Sequence, residues 1–74
     1  MEKNHKFVVC VQNEDYGVSL ELRKLYEVLP DNDAASDGYL RVIDESGEDY
    51  LYPENWFAPI ELPQAVEEAL LAAA

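Results

Sequence analysis

The chain has 74 residues, 49% of them apolar, and sixteen acids against five bases give it a net charge of −11. That length allows one domain, and a domain so small buries only about 60% of its unfolded surface, so its core is lean. The negative field repels phosphate, which disfavours direct nucleic-acid binding and attraction to anionic lipid and leaves plain solubility or a basic partner as its use.

Met1 to Lys6 is polar and reads as a frayed start, with residues 1–5 a flexible N-terminus. Only five apolar residues follow it, too few for a signal peptide or a membrane span. Phe7 to Val11 is rich in β-branched residues and reads as a buried strand. Its Cys10 is the only cysteine, so no internal disulfide can form, which fits a reducing cytoplasm. Within an apolar run such a cysteine behaves as a small hydrophobe, and no base stands beside it to activate it. Asn13 to Gly17 is turn chemistry.

Val18 to Leu29 carries two periods. Leu22, Leu25, Tyr26 and Leu29 follow helical spacing, whereas Val18, Leu20 and Leu22 alternate as a strand would. Periodicity leaves both readings open, and Pro30 ends either one. Pro30 to Gly38 reads as a loop, Tyr39 to Ile43 as a strand, and Asp44 to Glu48 as a tight hairpin turn with Gly47 at positive φ. Asp49 to Tyr52 is the return strand, stopped by Pro53. Pro53 to Trp56 has the length of one tight helical turn. Phe57 to Leu62 is a last strand in which Pro59 suits an edge. Pro63 starts a short C-terminal helix over residues 63–74, with Val66, Ala69, Leu70 and Ala73 as its apolar stripe. Five short strands of this kind predict a mainly β fold, a small and strongly bent barrel that hides its edges.

Gly47 to Leu62 holds four of the eight aromatic residues, Tyr50, Tyr52, Trp56 and Phe57. With its glycine hairpin, strand and Pro53-Glu54-Asn55-Trp56-Phe57 turn, it resembles the closing half of a Src homology 3 (SH3-like) barrel, whose turn reads Pro-x-Asn-Tyr-Val. Ser19 to Leu29 resembles that family's Leu-Ser-Phe-x-x-Gly-Asp/Glu stretch, which favours a strand over Leu25 to Leu29. The resemblance covers residues 6–62 and implies a five-stranded barrel. The Tyr-Asp-Tyr signature is absent, leaving Tyr16, and Tyr39-Leu40 stand where the family has tandem tryptophans. In these respects the chain is similar to compact bacterial proteins of this fold, many of them uncharacterised.

The resemblance implies a shallow protein-binding groove lined by Tyr16, Tyr39, Pro53 and Trp56, with Asn55 as a polar anchor. Flat aromatic faces hold a preformed polyproline II ligand, and Glu14, Asp15, Asp33 and Asp37 would hold its arginines or lysines. The aromatics could equally do no more than cover a thin core. Asp33 to Asp44 has a superficial calcium-loop spacing, but Ala35, Arg41 and Asp44 stand where ligands belong, so no metal is expected. No catalytic set, phosphate loop or cofactor motif is present, and His5 is the only histidine. The expected function is therefore a non-catalytic interaction module, a monomer or weak homodimer, that binds a basic or proline-containing segment. Two alternatives stand beside it. One is an antitoxin-like charge mimic using Asp31, Asp33, Asp37, Asp44, Glu45, Glu48 and Asp49 to occupy a partner's nucleic-acid site. The other is a structural subunit joined to a larger complex through its helix or a barrel edge.

Overall fold

The computed structural model describes residues 7–73, so the expected frayed start and His5 lie outside the described residues. Five strands form one antiparallel sheet: β1 (Phe7–Cys10), β2 (Leu25–Leu29), β3 (Tyr39–Ile43), β4 (Asp49–Pro53) and β5 (Phe57–Pro59), in the order β4-β3-β2-β1-β5. A short helix α1 (Asn32–Ser36) joins β2 to β3, a single 3₁₀ turn (Glu54–Trp56) joins β4 to β5, and α2 (Gln64–Ala73) ends the described chain. The mainly β expectation with a C-terminal helix holds.

The expected barrel does not close. β4 pairs only with β3 and β5 only with β1, so both remain edges. The bend comes at β2, which changes partner partway along. Leu25 to Glu27 face β1, whereas Val28 and Leu29 face β3. With β5 reduced to three residues, shorter than the Phe57 to Leu62 span read from the sequence, and Pro59 unable to donate, little backbone is left to meet β4.

One face of the sheet carries the core. Val8 and Cys10 of β1, Tyr26 of β2, Val42 of β3, Tyr52 of β4 and Phe57 of β5 pack with Leu20, and Val28, Leu40 and Trp56 lie against them. The strand period of two accounts for this, since Tyr26 pairs opposite Val8, Val28 opposite Val42, and Tyr52 opposite Leu40. Tyr50 shares the face of Tyr52 but is half exposed, and Leu51 points the other way.

The segment with two periods obeys neither before β2. Residues 17–24 are turns and irregular backbone, Val18 is 94% exposed and Leu22 49%, and between them Leu20 is fully buried. The strand over Leu25–Leu29 is present.

The loop expected over Pro30 to Gly38 contains α1 instead. Asp31 caps it, its Oδ1 accepting from the Ala34 N–H at 2.9 Å, and Gly38 closes it at φ 83°. The hairpin turn is as read, with Gly47 at φ 85°.

Candidate functional site

The loop after β1 is built to present Tyr16. The Asn13 carbonyl accepts from the Tyr16 N–H at 2.7 Å, and the Tyr16 carbonyl accepts from Ser19 and Leu20 at 3.0 and 2.8 Å. Asn13 Nδ2 donates to the Leu20 carbonyl at 2.9 Å, and Asp15 takes the left-handed region at φ 64°. Burying Leu20 therefore fixes the loop, and the loop fixes Tyr16.

The 3₁₀ turn presents Trp56. Its carbonyl accepts from the Val11 and Gln12 N–H groups at 2.8 and 3.2 Å, which ties the turn to the end of β1. The Tyr16 and Trp56 rings meet edge-on, with centroids 5.5 Å apart, and Tyr52 completes a triangle at 5.6 Å from Tyr16 and 6.1 Å from Trp56. Tyr16 is 48% exposed and Trp56 half-buried, whereas Tyr52 beneath them is buried. Trp56 is thus partly exposed and also packs on the core.

The remaining candidates divide into groups. Glu14 and Asp15 directly precede Tyr16 and are exposed. Tyr39, Pro53, Asn55 and Asp37 lie instead on an open groove that neither Tyr16 nor Trp56 lines. Asp33 sits in the first turn of α1 and belongs to neither group. The 3₁₀ turn is the divider, with Asn55 on the groove side and Trp56 on the other. Among the described residues, Glu14, Asp15, Asp33 and Asp37 have no lysine or arginine within ion-pair distance.

Acids elsewhere are already engaged. Arg41 donates from Nε to Asp31 at 2.8 Å and from a terminal nitrogen to Asp49 at 2.9 Å. The Ala34 N–H and then Arg41 hold the Asp31 carboxyl below its ordinary range. Glu45 accepts from Lys24 at 2.7 Å and from the Tyr26 hydroxyl at 2.5 Å, and these two donors, Lys24 first, lower it as well. The Tyr26 oxygen also accepts from the Glu21 N–H at 2.7 Å. Burial and the Glu45 acceptor push the Tyr26 phenol far up.

Asp44 is the buried acid, 6% exposed. Burial by itself would raise its carboxyl, but the Ser46 hydroxyl at 2.5 Å, the Ser46 N–H at 2.9 Å and the Tyr52 hydroxyl at 2.6 Å outweigh burial and lower it. The same burial and bond push the Tyr52 phenol up to about 12. Nothing in the local sequence marked Asp44 for burial; the signal was Tyr52, the hydroxyl that reaches it from the returning strand.

Cys10 is buried and burial raises its thiol, and among the described residues no group of three histidines, cysteines or acids could hold a metal ion. Asp33 and Asp37 lie at either end of α1 and Asp44 turns into the hairpin, so the calcium-loop spacing gathers no ligands. No described helix is long and apolar enough to cross a membrane. The chain matches no protein-family model, no curated protein and no solved structure.

Proposed function

We propose that this protein is a non-catalytic, cytoplasmic interaction module that binds a basic or proline-containing protein segment on the Tyr16–Trp56 face. The observation that carries the reading is the edge contact of these rings at 5.5 Å, beside two exposed acids, Glu14 and Asp15, that lack a basic partner among the described residues. Aromatic faces attract cations and stack on proline, and adjacent carboxylates add to the attraction for arginine. The strand order, with a 3₁₀ turn before the last strand, supports the Src homology 3 resemblance on which the groove was first placed.

The charge-mimic alternative has less support. Of its seven acids, Asp31 and Asp49 are tied to Arg41, Glu45 to Lys24, and Asp44 is buried, which leaves Asp33, Asp37 and Glu48. A phosphate mimic needs its charge presented outward. The structural-subunit alternative has the open edges β4 and β5 as its footing.

Trp56 is the only tryptophan, so its emission reports on the face directly. Titration with a synthetic arginine–proline peptide should shift that emission saturably, and the glutamate–proline counterpart should not. Tyr16→Ala, which keeps the loop's backbone bonds, should weaken binding about tenfold. Unchanged affinity in that variant defeats the proposal.

A further inference from the structure

On the other side of the 3₁₀ turn the unclosed sheet leaves an open groove of about 1250 Å³. Its floor is core-face side chains, Val8, Val28, Leu40 and Phe57, with Pro59 of the edge strand. α2 reaches it with Leu71 alone, and no residue of α2 is buried. The groove is therefore a lean core's exposed margin, covered only in part by the described residues.

Its size and rim narrow what fits. Small-molecule sites occupy roughly 300–1,000 Å³ and enclose their ligands, whereas this groove is larger and open along its length. Glu27, Asp37 and Glu54 stand on it with no lysine or arginine within ion-pair distance among the described residues. Among the described residues its one base is Arg41, which is occupied by Asp31 and Asp49. An apolar floor inside an acidic rim excludes anionic ligands, and a second copy of a chain with net charge −11 would meet repulsion.

We propose that this groove is a second docking site, taking an amphipathic segment of a protein partner in which apolar side chains are flanked by lysine or arginine. The apolar side chains enter between Val28, Leu40 and Leu71, and the bases meet Glu27, Asp37 and Glu54. The site is independent of the aromatic face, because neither Tyr16 nor Trp56 lines it.

The test uses the full chain and a labelled synthetic peptide of leucine and lysine, followed by anisotropy and by methyl NMR. Saturable one-to-one binding is expected, with methyl shifts centred on Val28, Leu40 and Leu71. A peptide with serine for leucine should bind about tenfold more weakly, and so should the double variant Asp37→Lys/Glu54→Lys, whose sites are both exposed. Tyr16→Ala should change nothing. Equal binding of the serine peptide would show charge attraction alone and overturn the proposal, as would shifts centred on Trp56 or no saturable binding. Any of these failures leaves the Tyr16–Trp56 reading untouched, since that reading is scored on a different peptide and a different variant.

Discussion

At the Ile43 end of β3, the two acids that follow the strand are met by donors. Asp44 has Ser46 and Tyr52, and Glu45 has Lys24 and Tyr26. At the Tyr39 end, Asp37 and Glu54 face an open groove, and among the described residues no lysine or arginine is within ion-pair distance of them. The same residue type thus does two kinds of work. An acid at the hairpin end organises a turn, because its lone pairs accept N–H and O–H groups, among them the hydroxyls of the buried Tyr52 and Tyr26. An acid at the groove end contributes field, which only a ligand can satisfy. Counting acids cannot separate these uses; counting their donors can.

Substitutions should reveal the difference as a graded loss of stability. The largest effect is expected for Asp44→Ala, which strands the Tyr52 hydroxyl and both Ser46 donors and should cost about 2–3 kcal/mol in urea unfolding. A loss under 1 kcal/mol would mean that the hairpin end is held by packing alone.

Acid titration should come next. Asp31, Asp44 and Glu45 all have folded-state values below their ordinary ones. Their contribution is present above the unfolded-state range and is lost as pH falls through the depressed folded values. The urea midpoint should therefore hold near neutrality and drop below about pH 4. Glu45→Gln should make that drop shallower.

Tyr26→Phe removes one hydroxyl between the Glu21 N–H and Glu45 and should cost about 1 kcal/mol. The smallest effect should be that of Glu14→Gln with Asp15→Asn. Both residues are exposed and without ion pairs among the described residues, so thermal unfolding should move by no more than about 0.5 kcal/mol. A clear destabilisation there would show that an acid without a donor can also support the fold.

Much of this fold could be read from the chain itself. β-Branched runs at Phe7 and Tyr39, glycine at the hairpin and proline at the 3₁₀ turn impose their conformations locally, and each element stands where those residues place it. What escaped depends on partners far along the chain. Leu20 is core although its segment is turns and irregular backbone, because it joins the buried cluster that holds Cys10 and Tyr52 and needs no period of its own. The letters of α1 are also turn letters, and the helix draws on Asp31, whose second oxygen is held by Arg41 ten residues later. The candidate site was legible as a set of residues but not as a geometry. Tyr16 and Trp56 touch, whereas Tyr39 and Asn55 fall on the far side of a three-residue turn. Sequence spacing does not reveal which side of a turn a side chain takes.

The strand order carries a consequence for the order of assembly. The β3–β4 hairpin closes a short loop around Gly47, whereas β1 meets β5 only after nearly the whole intervening chain has been gathered in. Loop-closure entropy rises with the length enclosed, and non-local pairing slows folding. The hairpin can therefore form while the rest of the chain is still searching, and the seam between the first and last strands completes the structure. When the native state opens without unfolding globally, that seam is where it should part first, and solvent hydrogen should reach the amides of Val9 and Ala58 before those of Val42 and Tyr50.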